Sequence, residues 1–152
     1  SGERTIHLGV DLFAPSGTPV CAPFAGRVES VADNDRPLDY GPTVVLRHEP
    51  DGGPVFWTLY GHLGRAVLDD LEVGDRVVPG EVFAALGSPE VNGGWPPHLH
   101  FQLIADRLDR TDGDFPGVAD PDEQAVWLML FSSMPQPRIL RPDPARSALQ
   151  KP

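Results

Sequence analysis

Between residues 5 and 105, short runs of alternating apolar and polar residues are interrupted by Gly, Pro, Asp and Asn, a pattern that predicts an all-β chain. Gly26 to Val31, Thr43 to His48, Val55 to Leu59, Val82 to Leu86 and His98 to Ile104 read as strands, with turns such as Asp51-Gly52-Gly53 between them. Many short strands at such spacing suggest a sandwich or barrel. Residues 106 to 121 form an acidic stretch with Gly and Pro whose aspartate spacing fits no EF-hand, so a solvated loop is expected there. Asp120-Pro121-Asp122-Glu123 then offers an N-cap, a first-turn proline and a glutamate three residues after the cap. A helix is expected from there to about Ser133, with Val126, Trp127, Leu130 and Phe131 on one face. Five prolines after residue 134 make 135–152 a Pro-rich tail or interdomain linker rather than core, leaving 1–134 as the domain.

A length of 152 residues with 40% hydrophobic and 22% charged side chains suits one domain with one core. The net charge of -10 repels a phosphate backbone or an anionic lipid surface, which argues against nucleic acid as a partner. No apolar run approaches the roughly 18 residues of a membrane span, and no basic-then-apolar leader opens the chain. Ser1 stands almost on the first motif, so the expectation is a piece of a longer polypeptide or a chain that has lost a leader. Cys21 is the single cysteine, which rules out an internal disulfide and a Cys-based zinc knuckle; its flanks Val20 and Ala22 suggest a small buried side chain.

The chain's chemistry lies in its five histidines. A hydrolytic zinc centre needs three imidazole or carboxylate donors and a fourth position left for water. His98 and His100 alternate in a segment introduced by Pro96-Pro97, so both rings point to one sheet face, with Leu99 and Phe101 turned to the core. Their Cα atoms are expected roughly 6 to 7 Å apart, close enough for one ring to ligate a metal while the other reaches the water. His7 and Asp11 are separated by about 13 Å in an ideal strand, too far for one ion, so the chain must bend between them. Gly9 beside Val10 favours a bent loop over a helical turn. His48, closing TVVLR, reads as structural or exposed. Trp57, Tyr60 and Trp95 are candidates for a groove, with core packing the commoner role of aromatics in such a sequence.

HLGVDLFAPSGTPVCAPFAGRV resembles the first signature of the M23 (LytM, lysostaphin-like) zinc metallopeptidases, LYGHL resembles their middle histidine motif, and HLHF their last. Order and separations match over about residues 5 to 104. The resemblance implies a duplicated hybrid motif fold, an antiparallel barrel-like sheet, with zinc on His7, Asp11 and His100. It implies catalytic roles for His98 and His62. No HExxH glutamate is present, so His98 becomes the natural general base, and His62 would hydrogen-bond the oxyanion or steady the water during peptide-bond hydrolysis. It also implies a peptide substrate cleaved beside small residues, peptidoglycan peptides among them. Gln102 follows HLHF where the family more often has Glu, and NGGWPP replaces the usual run of small Ser, Thr or Gly residues. This variant resembles the M23-like domain set between kinase-like and PLP-dependent class III aminotransferase domains. That setting implies a cytoplasmic location, whereas a free-standing enzyme would be periplasmic or secreted.

Two rival readings belong to other classes. LEVGDRVVPGEVFAALG resembles biotinyl and lipoyl carriers, but the sole lysine, Lys151, lies in the tail and not at a hairpin tip. A phosphocarrier pairing two histidines has no need of Asp11. A non-catalytic zinc-binding scaffold in a multidomain enzyme is the second rival.

Overall fold

The computed structural model describes residues 6–106, 115–119 and 139–140. The described chain runs β1 (Ile6–His7), β2 (Val10–Phe13), β3 (Pro19–Cys21), β4 (Gly26–Asn34), β5 (Gly41–His48), β6 (Phe56–Gly61), α1 (Val67–Asp70), β7 (Arg76–Val77), β8 (Val82–Ala85), β9 (His98–Ile104) and β10 (Val118–Ala119). The architecture is mainly β, as the alternation predicts, and the five expected strands are β4, β5, β6, β8 and β9. The additional strands are two to four residues long, too short for alternation to reveal them. The helix expected from Asp120 to about Ser133 lies outside the described residues, and α1 is a single turn.

Six strands form an antiparallel sheet in the order β2-β9-β6-β5-β4-β7, and β1-β10 and β3-β8 form two small ribbons. Strand alternation divides the sheet's side chains between two clusters. Val44, Leu46, Tyr60 and Leu99 join Val20, Ala22, Leu63 and Leu86 in the main core, which the β3-β8 ribbon helps to close. Val45, Leu59 and Ile104 lie on the opposite face with Tyr40, Phe115 and Trp57. Tyr60 and Trp57 are therefore core residues. Cys21 is buried, as its small apolar neighbours suggest.

Two stretches depart from expectation. Within the acidic stretch 106–121, the described residues 115–119 are not solvated loop: Phe115 is buried, and Val118–Ala119 pairs with the strand bearing His7. Within 135–152, Ile139 is buried in the main core, its carbonyl accepts the Cys21 N–H at 2.7 Å, and Leu140 bridges to Val20. The apolar Ile139-Leu140 pair thus contributes to packing despite its proline-rich surroundings.

Candidate metal centre

The register of β2 on β9 sets Asp11 opposite His100 and Phe13 opposite His98. Directly opposed residues share a sheet face, so carboxylate and imidazole meet. His7 reaches the same point through the break at Leu8-Gly9, which is the bent loop anticipated from the 13 Å problem. Leu8 is buried there, and its N–H donates to the Gly117 carbonyl at 2.9 Å. A Cβ on Gly9 would lie 2.5 Å from Cε1 of His100, so this bend tolerates no side chain.

The three donor atoms form a near-equilateral triangle. His7 Nε2 is 3.0 Å from His100 Nδ1 and 3.2 Å from Asp11 Oδ1, and the third side, His100 Nδ1 to Asp11 Oδ1, is 3.1 Å. Bonds of about 2.0–2.1 Å in a tetrahedron imply edges of roughly 3.3 Å, so the triangle fits one face of a zinc-sized coordination sphere. The three residues are able to hold a metal ion. Burial alone would raise the Asp11 pKa, but the His100 hydrogen bond and the His7, His100 and His98 charges bring it below the ordinary carboxylate value.

His98 and His62 lie beside this triangle with ring centroids 4.2 Å apart and planes tilted by 42°, and His98 Nε2 lies 3.9 Å from Asp11 Oδ1. The NGGWPP loop orients both rings. His98 Nδ1–H donates to the Pro96 carbonyl at 2.7 Å, and His62 Nδ1–H donates to the Asn92 carbonyl at 2.9 Å. A carbonyl can only accept, so each neutral ring carries its proton on Nδ1 and keeps an accepting Nε2. Asn92 fixes the loop: its side chain donates to the Trp95 carbonyl and accepts the Trp95 N–H, both at 3.0 Å. Burial, then the neighbouring His98, holds the His62 pKa at about 4. His62 also adopts φ +62°, a left-handed conformation that places it at the end of β6.

The outer contacts of His100 were not anticipated from sequence. Its Nε2 is 3.3 Å from Gln102 Oε1 and 3.4 Å from the Tyr40 hydroxyl. A metal on Nδ1 requires the proton on Nε2, and Gln102 is positioned to accept it. Gln102 shares strand parity with His98 and His100, which is the signal that would have found it; nothing in the sequence marks Tyr40 or Asn92. His48 lies apart from the centre: its Nδ1–H donates to the Ala25 carbonyl at 2.8 Å and Nε2 is 2.7 Å from Thr58 Oγ1, a structural role. Trp95, unlike Trp57 and Tyr60, lines a cavity of about 510 Å³ over the metal triangle.

The model for Peptidase family M23 matches residues 5–112, more than half of the chain. The chain belongs to peptidase family M23. It is 38% identical over 103 residues to an uncharacterized metalloprotease of Haemophilus influenzae, covering 68% of this chain and 19% of that protein. The Vibrio cholerae peptidoglycan DD-endopeptidase ShyC is 32% identical over 112 residues, 73% of this chain and 23% of its own length. The L-Ala–D-Glu endopeptidase of Bacillus subtilis is 32% identical over 119 residues, 75% and 34% respectively. The chain thus spans 19% to 34% of the length of these relatives. Among solved structures, a zinc containing peptidase from Vibrio cholerae is similar at TM-score 0.51 and 30% identity, over 64% of this chain and 26% of that one. The chain thus combines the M23 domain architecture with a His/Asp/His cluster able to hold a metal ion.

Proposed function

We propose that the chain hydrolyses peptide bonds with a zinc ion held by His7, Asp11 and His100, His98 serving as general base. Two neutral imidazoles and one carboxylate suit zinc, and the similar Vibrio cholerae peptidase is described as zinc-containing. When bound there, zinc would supply a Lewis acid that polarises the scissile carbonyl and acidifies water. The chain's own groups do the rest. His98, its Nδ1 proton committed to the Pro96 carbonyl, presents a free Nε2 that accepts a proton from the attacking water. His62 presents a second accepting Nε2, so its neutral ring holds that water in line; only the imidazolium form would donate to an oxyanion. Tyr40 and Gln102 keep the His100 ring in place.

The observation that carries the reading is the donor triangle with His98 Nε2 at 3.9 Å from Asp11 Oδ1. A phosphocarrier has no use for that carboxylate. Elemental analysis of protein purified without added metal tests the assignment: about one zinc per chain is expected, lost in His100→Ala and retained in His98→Ala. Unchanged zinc in His100→Ala would overturn it. Peptides are the substrates to assay, with the cell-wall peptides named for the relatives as the first candidates. The resemblance of NGGWPPHLHFQ supports a setting between kinase-like and PLP-dependent aminotransferase domains in a longer cytoplasmic enzyme, a setting tested by sizing the natural gene product.

A further inference from the structure

Three side chains around the cavity have an exposure that the fold does not explain. Phe13 and Leu38 are each 70% exposed and Trp95 is 37% exposed, and all three line the cavity over the donor triangle. Eight large apolar residues are exposed among the described residues, and four of them, these three and Val118, meet here. Clustered exposed apolar surface marks a binding site, whereas scattered residues need no explanation. Leu38 holds φ +65° as the third residue of the Arg36-Pro37-Leu38-Asp39 turn, closed by the Asp39 N–H donating to the Arg36 carbonyl at 3.0 Å, and this turn presents its side chain to the cavity. Phe13 stacks on His98 at 5.0 Å and 26°, while the Trp95 ring stands edge-on to His62 and His98 at 6.4 Å from each. The two catalytic candidates are therefore flanked by exposed aromatic rings.

We propose that this groove selects peptides with a large aliphatic or aromatic side chain beside the scissile bond. Phe13, Leu38 and Trp95 are its specificity-determining residues. The proposal rests on the zinc peptidase reading above and departs from the small-residue preference that the family resemblance implies. Burying a large apolar side chain instead of a methyl group between such walls favours binding by about ten- to a hundredfold.

Peptide hydroxamates differing in one side chain, bound to the zinc-loaded full chain and measured by titration calorimetry, test this without requiring turnover. The phenylalanyl and leucyl compounds are expected to bind about ten- to a hundredfold more tightly than the alanyl one. Leu38→Gly relieves the left-handed conformation, so it is expected to keep zinc and an unfolding midpoint at or above the parent's while the Phe-over-Ala preference falls several-fold. Phe13→Ser, on an exposed edge position, gives an independent variant with the same expected loss. Equal binding of the alanyl and phenylalanyl compounds, or a preference unaltered in both variants, overturns the proposal while leaving the zinc reading intact. Failure of the parent chain to take up zinc overturns that reading and this proposal with it.

Discussion

The two faces of the six-stranded sheet are built from alternate residues of the same strands, yet they differ in kind. Along β9, Leu99 packs into the main core while His98, His100 and Gln102 turn the other way, and all four are buried. The core face gains from apolar burial and needs no particular partners. The site face buries imidazoles and an amide, which destabilises unless each polar atom finds a partner; backbone carbonyls, Asp11, Tyr40 and Gln102 supply them. From His98 to Gln102 the strand therefore alternates chemistry and core packing with a period of two residues, and Ile104 returns the site face to apolar packing. Mutations one position apart should separate them too.

The sharpest test pairs His98→Ala with Leu99→Ala. His98→Ala should lower peptide hydrolysis by about 10²- to 10⁴-fold, the usual scale for losing a general base, while zinc content and the urea midpoint change little. Leu99→Ala should do the reverse, costing about 2–5 kcal/mol of stability because Leu99 is fully buried, with turnover of the folded fraction close to that of the parent. If His98→Ala unfolds the protein and Leu99→Ala leaves the urea midpoint unchanged, the division between faces is wrong.

Gln102→Leu makes a finer cut within the site face. The substitution keeps the volume nearly constant but leaves the His100 Nε2–H with the Tyr40 hydroxyl, at 3.4 Å, in place of the amide acceptor, so the ring is held less firmly with Nδ1 toward the ion. Zinc affinity, measured by competition with a chromophoric chelator, is expected to fall about 10- to 100-fold. Gln102→Glu restores an acceptor and should recover the affinity. Zinc affinity in Gln102→Leu equal to that of the parent would mean that Gln102 merely fills space.

How much of this was legible follows from the same division. Alternation exposed the long strands and the common face of His98 and His100, because period-two burial is written directly in the residues. The M23 signatures located His7, Asp11 and His62. The bend that brings His7 to Asp11 was legible only as a requirement; its cause, the His100 ring lying over Gly9, is a contact across 91 positions of sequence. The carbonyls of Asn92 and Pro96 were beyond reach, since every residue carries a carbonyl and only the path of the loop aims these two. Ile139 was hidden by its proline-rich setting for the complementary reason: one residue has no periodicity.

Acid should weaken the fold through one buried histidine of the site and one outside it. In the metal-free protein, burial and the nearby His98 hold His62 at about 4, and burial also lowers His48. Below the ordinary histidine value of about 6.5 the unfolded chain binds protons that these folded rings refuse, so the unfolded state gains as pH falls toward 4. Stability should be fully present above about pH 6.5 and decline between there and about 4. A urea midpoint that rises over this interval, with the metal absent, would contradict the burial of the two rings. His62→Gln removes one of them, and its midpoint should depend less steeply on pH.

Removal of the metal should have the smallest effect, and the comparison of faces says why. The main core buries residues of β3, β4, β5, β6, β7 and β9, with Leu12 of β2 and Phe83 and Ala84 of β8 packed against it, and none of the three proposed ligands belongs to it. His7 and Asp11 sit on short outer strands, and Asp11 is already placed opposite His100 by ladder pairing alone. The ladder and core do not require the ion, unlike small zinc domains whose folding depends on it. Chelation should therefore leave the far-UV circular dichroism spectrum essentially unchanged at room temperature while removing one bound ligand's stabilisation, visible as a lower thermal midpoint. Unfolding on addition of chelator would show instead that the donor triangle is held together by the metal, and that the short β1-β10 ribbon and the site face cannot persist on backbone pairing alone.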